Sequence, residues 1–326
     1  MASNRKKVLV PHTMGKEGID LLRRRDDIEV QSYPAGIKQA ELLPMLSDVA
    51  GIALSGTPYR KPEMDASPAM EVVARIGVGY DAVEVPALTA RRVPLMVAGT
   101  ANSTSVAEHA FHLMMALAKR TPALDAIVRK GAWGDRHAGL PMELFGKTVL
   151  IVGFGRIGTR SARRCQGFDM NVLIYDPYVP GEKITAAGCE HVTDLDAALP
   201  CADFVSIHCP KNPETVGLFN APRLARMKRG AFIVNTARGG IIDEPALHAA
   251  LTSGHIAGAG LDVFDAEPTP VNNRLLQLDT VIASPHMAGV TTESVAGMAL
   301  VTAENILSVL DGRTNRDNVI NREVLD

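Results

Sequence analysis

The run Thr148-Val149-Leu150-Ile151-Val152 leads directly into Gly153-Phe154-Gly155-Arg156-Ile157-Gly158. This junction constrains the fold more than any other stretch of the chain. A short, continuous apolar run bounded by glycine reads as a strand buried on both faces, the pattern of a parallel sheet covered by helices. Ile157–Gly167 continues as a helical stretch, and a second strand, Val172–Tyr175, ends in Asp176. Asp176 follows the glycines at close to the ~20-residue spacing of a dinucleotide-binding βαβ unit. In such a unit Gly153 permits the tight turn, Gly155 lets a pyrophosphate approach the backbone, and Gly158 allows close helix–strand packing. The amides of Arg156 and Ile157 would face the phosphates at the helix start. Asp176 would accept hydrogen bonds from the adenosine ribose and repel a 2′-phosphate. Pro177 and Tyr178 follow it without an Arg to welcome that phosphate, so NAD is expected over NADP. Taken alone, the glycines could equally form a structural turn.

The rest of the chain repeats the alternation of apolar runs and amphipathic stretches. Expected strands in the first third are Lys7–Val10, Ile28–Ser32, Val49–Leu54, Val72–Ile76 and Leu95–Val97, with helices near Gly15–Arg25, Ile37–Leu46 and Val85–Arg92. A long helix is expected over Thr104–Lys119, where His109 and His112 read as packing or surface residues. After the Gly-rich unit, strands are expected at Phe204–His208, Phe232–Asn235, Gly258–Asp262 and Val281–Ser284, a helix over Thr292–Leu310, and a polar, extended tail from Asn315 to Asp326. Two α/β series in 326 residues imply two domains, with a boundary near residue 100.

Composition narrows the function classes. The chain is 46% hydrophobic and has a net charge of −2, with its cations scattered, so no nucleic-acid footprint is seen. The densest basic run, Arg23-Arg24-Arg25, reads as a solvated helix end. None of the four cysteines forms a CxxC pair, no metal site is expected, and reduced thiols in a cytoplasmic protein fit best. The N-terminal segment from Met1 into Val8-Leu9-Val10 is too short in apolar residues for a signal peptide, and no stretch approaches a membrane span.

Three ionisable residues stand in short motifs at or beyond the later strands. Arg238 lies in Asn235-Thr236-Ala237-Arg238-Gly239-Gly240, Glu267 in Asp262-Val263-Phe264-Asp265-Ala266-Glu267-Pro268, and His286 in Ser284-Pro285-His286-Met287-Ala288-Gly289. A guanidinium can grip a carboxylate through two parallel hydrogen bonds. Imidazole exchanges a proton near neutrality, and a carboxylate beside it can fix its tautomer. Each residue alone could instead be an ion pair, a helix cap or a core histidine.

With Arg75-Ile76-Gly77-Val78-Gly79-Tyr80-Asp81, Ser105-Val106-Ala107-Glu108-His109, Gly131-Ala132-Trp133 and His208-Cys209-Pro210 added to these motifs, the chain resembles the D-isomer-specific 2-hydroxyacid dehydrogenases over nearly its whole length. That family includes phosphoglycerate dehydrogenases and glyoxylate/hydroxypyruvate reductases. The resemblance implies an α/β architecture of two doubly wound parallel-sheet domains. A Rossmann NAD domain at 100–290 would be inserted in a discontinuous, flavodoxin-like substrate domain formed by 1–99 and 291–326, with the active site in the cleft between them. It implies a homodimer built through the cofactor domains. It implies that Arg238, Glu267 and His286 are catalytic: substrate carboxylate on Arg238 and on the amides near Val78 and Gly79, hydride from the nicotinamide to the keto carbon, proton from His286 held by Glu267. It also places Thr104, Cys209, Thr236, Ala237 and Asp262 along the nicotinamide or its ribose, with His208, Pro210 and Gly289 as further cofactor contacts. Cys209 has no base motif that would make it a nucleophile, and Trp133 reads as packing.

Glu267 speaks against the formate dehydrogenase branch, which carries Gln there. Ala82 stands where many relatives carry Asn. Leu54 stands where phosphoglycerate dehydrogenases typically carry Arg, and Arg60 and Lys61 are the nearest substitutes for it. Fixed cations are what a phosphorylated substrate needs, so a small unphosphorylated 2-keto acid such as glyoxylate or hydroxypyruvate is favoured, with D-3-phosphoglycerate as the alternative. No regulatory domain is expected after the last helix. An NAD-sensing corepressor-like binding protein is the alternative of another class; it would want a disordered tail that the sequence does not show.

Overall fold

Strands that are apolar throughout need cover on both faces, and right-handed helical crossovers supply it. The computed structural model describes residues 5–326; Met1–Asn4, part of the segment read above against a signal peptide, lie outside the described residues. The chain divides into two compact units, Met1–Asn102 with Val290–Asp326, and Ser103–Gly289. The sequence reading set these limits at 99/100 and 290/291, three residues and one residue away.

The first unit contains β1 (Lys6–Pro11), β2 (Ile28–Tyr33), β3 (Val49–Leu54), β4 (Val72–Arg75) and β5 (Leu95–Met96). They form one parallel sheet in the order β2-β1-β3-β4-β5, the flavodoxin-like order. Val8, Leu9, Ile52, Val72 and Val73 are fully buried. Each such side chain contributes roughly 1.5–3 kcal/mol relative to exposure. The helix Thr292–Leu310 is long and apolar enough to cross a membrane by length and composition, contrary to the sequence reading. Here it packs on β3, β4 and the helix Lys16–Arg23, burying Ala299, Ala303 and Ile306.

Two further expectations hold only in part in this unit, where Arg23 and Arg24 are exposed at a helix end as expected. Arg25 is not simply solvated: it bridges Asp27 at 2.7 Å and Asp311 at 3.0 Å. The tail is not simply extended. It folds through short turns at Arg316–Asn318 and Arg322–Leu325 and docks on β5. Asn321 is buried there, accepting from Leu95 N at 2.8 Å and donating to Val93 O at 3.0 Å. Its amide satisfies backbone groups at the sheet edge that burial would otherwise leave unpaired.

The second unit contains β6 (Thr148–Val152), β7 (Asn171–Tyr175), β8 (Glu190–Val192), β9 (Phe204–Ile207), β10 (Ala231–Asn235), β11 (Ile256–Leu261) and β12 (Val281–Ala283). All are parallel, in the order β12-β11-β10-β9-β6-β7-β8. This is the doubly wound dinucleotide-binding order with one further strand. The order reverses between β6 and β9, and ligands of open α/β sheets bind beyond the strand ends at such a point. The helix Ser103–Ala118 lies on β10, β11 and β12, its Leu113 and Ala110 buried against them. The segment after it departs from expectation. The helix Thr121–Arg129 buries no residue, and Trp133 is 64% exposed, with Arg136 near its ring, rather than packed.

Candidate active site

The Gly fingerprint, Asp176, residues 208–210, Arg238, Glu267 and His286 all lie at or beyond the carboxyl ends of strands, whereas Thr104 and residues 105–109 lie in the long helix and residues 131–133 follow the helix Thr121–Arg129. After β6, Gly153 has φ +99°, and a Cβ there would meet Cys209 N at 2.7 Å. A Cβ on Gly158 would sit 2.0 Å from Gly153 O, whereas one on Gly155 would meet nothing within 4 Å. The two outer glycines are therefore required by the protein's own packing, and the middle one leaves backbone open to a ligand. Asp176, at the end of β7, accepts from Phe154 N at 2.8 Å through one oxygen and from Tyr178 N at 2.9 Å through the other. Each oxygen keeps a lone pair for a ribose hydroxyl. These residues fit a dinucleotide.

Like charges brought together cost several kcal/mol. Asp176→Asn keeps one acceptor and removes the charge. It is expected to raise kcat/KM for NADPH relative to NADH by ~10-fold or more, since each 1.4 kcal/mol is a factor of ten. Steady-state kinetics with both cofactors checks this, and an unchanged ratio would remove Asp176 from the discrimination.

His208, after β9, shares its Nε2 with Ser206 Oγ at 2.9 Å, and burial pushes its pKa down to about 4, so the ring is neutral. Its Nδ1 and the Thr236 Oγ1 are buried polar atoms without a protein partner, as a polar ligand site leaves them. Burial pushes the Cys209 thiol up to about 11, which keeps it from acting as a nucleophile. Pro210 and Thr104 are exposed, and Gly289 closes the unit.

Arg238 is carried by the turn after β10. The buried Asn235 shapes that turn, accepting from Ala237 N at 3.0 Å and donating to Arg238 O at 2.9 Å. The Arg238 guanidinium donates to Ala237 O at 2.7 Å. A Cβ on Gly239 would lie 1.8 Å from Phe264 O, so this turn rests directly on the one that follows β11. There Phe264 N donates to Glu267 Oε1 at 3.0 Å, and the Glu267–Pro268 peptide is cis. Glu267 Oε2 lies 2.7 Å from His286 Nδ1. An ionised carboxylate only accepts, so Nδ1 carries the hydrogen and Nε2 is the nitrogen that exchanges a proton. This pair is 37–49% exposed, and such pairs add at most about 1 kcal/mol of stability. Its value is orientation.

His286 has φ +55°, a left-handed conformation that costs a non-glycine residue roughly 1–2 kcal/mol. Asp262 holds it there. Its carbonyl accepts from His286 N at 2.8 Å, and its buried carboxylate accepts from Met287 N and Ala288 N, both at 2.8 Å. Asp262, expected along the nicotinamide, is thus also the anchor of the histidine turn. Sequence reading passed over Asn235, although a strand ending in Asn before Thr-Ala is the signal of a side-chain-capped turn. It also passed over Ser284 and took His109 for a packing or surface residue. The structure puts His109 Nε2 2.8 Å from Ser284 Oγ, while His112 is exposed. In the first unit, Val78 and Gly79 follow β4 in a loop braced by Arg75, which donates to Gly79 O at 2.7 Å and to Leu54 O at 2.9 Å.

Comparison with known proteins decides the family. Residues 111–288 match the model of the D-isomer specific 2-hydroxyacid dehydrogenase NAD binding domain, more than half of the chain. The chain belongs to the D-isomer specific 2-hydroxyacid dehydrogenase family. Among curated relatives of this dehydrogenase family, a D-3-phosphoglycerate dehydrogenase of Methanocaldococcus jannaschii is 38% identical over 316 residues, covering 97% of this chain and 59% of that protein. The chain spans about three fifths of the length of the first curated relatives it matches. Among solved structures, a Thermus thermophilus protein superposes with a TM-score of 0.87 at 34% identity, covering 96% of this chain and 99% of that one. A glyoxylate reductase of Paecilomyes thermophila also reaches 0.87, at 27% identity, covering 98% and 99%. The sheet that carries Gly153, Asp176, Arg238, Glu267 and His286 is this family's NAD-binding domain.

Proposed function

We propose that this chain is an NAD-dependent oxidoreductase interconverting a D-2-hydroxy acid and its 2-keto acid. The observation that carries the reading is the 2.7 Å His286–Glu267 pair, joined through the Phe264 turn to the loop of Arg238 on an NAD-binding sheet. Bound NADH supplies the hydride for reduction of the keto carbon. Arg238 grips the carboxylate and polarises the keto oxygen. His286 donates its Nε2 proton to the forming alkoxide while Glu267 stabilises the imidazolium, and the roles reverse in oxidation.

For the substrate, the relatives' names favour D-3-phosphoglycerate over the small acids preferred from sequence. One observation keeps glyoxylate or hydroxypyruvate as the second reading. Leu54 is fully buried in β3, and Arg75, the cation beside it, braces the Leu54 carbonyl at the strand end and the Gly79 carbonyl in the loop. A homodimer and a cytoplasmic location belong to the same proposal. The exposure of four large apolar side chains within one short stretch of chain, Val128, Trp133, Leu140 and Phe145, supports the dimer, which would cover them.

The test is the loss of NADH absorbance with phosphohydroxypyruvate, hydroxypyruvate, glyoxylate, pyruvate and bulkier 2-keto acids. The highest kcat/KM is expected with phosphohydroxypyruvate. A clear winner without phosphate establishes the second reading, and tight NADH binding without turnover of any acid moves the chain toward an NAD-sensing role.

A further inference from the structure

Beneath the histidine turn lies a polar chain that the proposed reaction does not use. The helix Ser103–Ala118 brings His109 against the ends of β11 and β12, 175 residues from Ser284 in sequence. Ser284 Oγ lies 2.5 Å from Asp262 Oδ1 and 2.8 Å from His109 Nε2. A hydroxyl has one hydrogen, and the Asp262 carboxylate, already accepting from Met287 N and Ala288 N, takes it. His109 Nε2 must then be the donor to Ser284. The ring is three-quarters buried, and burial lowers its pKa, partly opposed by Asp262, 3.8 Å away, with the neighbouring His112 adding to the lowering. It is a neutral imidazole with its hydrogen on Nε2.

We propose that His109 is a positioning residue for His286. Its Nε2–H aligns the Ser284 hydroxyl on Asp262, and Asp262 in turn fixes residues 286–288 in the left-handed turn that presents the imidazole. Without that donor the hydroxyl can rotate away, Asp262 loses a charge-assisted hydrogen bond, and the turn relaxes from its strained conformation. The inference rests on the dehydrogenase reading above. It adds a residue outside the Arg238–Glu267–His286 set whose effect falls on the reaction step rather than on binding.

The experiment compares wild type, His109→Leu and His109→Gln. His109→Leu is expected to lower kcat about tenfold, the scale of a sub-ångström displacement of a proton-transfer group. KM for the keto acid and NADH affinity should stay nearly unchanged. His109→Gln, whose amide can donate from the Nε2 position, should restore most of kcat. Wild-type kcat in His109→Leu, equal loss in the Leu and Gln variants, or a matching loss of NADH affinity would each overturn the proposal. If His109→Leu fails to fold, the tautomer of His109 in 15N-labelled wild type decides: a proton on Nε2 supports the arrangement and a proton on Nδ1 sinks it. Absence of turnover in the wild type defeats the dehydrogenase reading instead. The tautomer measurement still tests the hydrogen-bond chain in that case, so the two failures are separable.

Discussion

His286→Ala is expected to lower kcat by ~10²–10⁴-fold, the usual contribution of a positioned general acid. The NADH dissociation constant should scarcely move, because Gly153, Gly158 and Asp176 are built into packing at the ends of β6 and β7 and owe nothing to the histidine turn. Keto-acid reduction needs a proton at the oxygen as hydride reaches the carbon. In the variant only water can supply it, while Arg238 continues to bind carboxylate and stabilise charge. The defect should therefore appear in kcat far more than in KM, and added imidazole should restore part of the rate. Steady-state kinetics together with NADH fluorescence titration separates the two quantities. Turnover near wild type would take His286 out of the mechanism and leave the Glu267 contact as a structural ion pair.

The parts of this fold that are legible in sequence are those whose physics is local. Val49–Leu54 and Thr148–Val152 are apolar throughout and bounded by turn residues, and both strands form with the limits expected. Thr292–Leu310 carries a helical apolar stripe after a Thr291 cap and forms over the expected span. The strand Glu190–Val192 escaped notice because it is a short edge strand with no fully buried residue, so its sequence shows neither alternation nor an apolar run. The tail escaped because the residue that docks it is Asn321, and a buried amide serving backbone groups looks like loop sequence until its partners are known.

The candidate site divides the same way. The glycines and Asp176 sit in one βαβ unit whose spacing is itself the signal. Arg238, Glu267 and His286 come from three separate strand ends, and their proximity follows from sheet order, which no local pattern encodes. The resemblance to a family named these residues, and the structure shows how their turns lean on one another. His109 lies in one of the motifs that carry the resemblance, but no role came with it: a histidine on an apolar helix is structural by default, and its contact with Ser284 spans most of the second unit.

The dependence of one turn on another leads to the second large effect. Gly239→Ala puts a Cβ 1.8 Å from Phe264 O, 2.2 Å from Phe264 C and 2.8 Å from Asp265 N, where ordinary contacts begin at 3.4 Å. All three obstacles are backbone, so no side-chain rotation relieves them. The Arg238 turn and the Glu267 turn must separate by well over an ångström. Overpacking of this kind costs about 1–3 kcal/mol or more, and at roughly 2–4 °C per kcal/mol for a unit of this size the thermal midpoint should fall by several degrees. The larger consequence is chemical. Phe264 N is what holds Glu267 Oε1, and Glu267 is what orients His286, so displacing Phe264 moves the carboxylate and imidazole away from the guanidinium. A misplacement on that scale can cost ~10²-fold in rate. Gly134→Ala, which meets nothing within 4 Å, is the control and should match wild type in both midpoint and kcat. Thermal unfolding by circular dichroism and steady-state kinetics on the two variants read stability and rate separately. A Gly239→Ala protein with a lowered midpoint but wild-type kcat would show that the two turns can part without disturbing the proton-transfer group, and the coupling argued from Gly239 through Phe264 to Glu267 would fall.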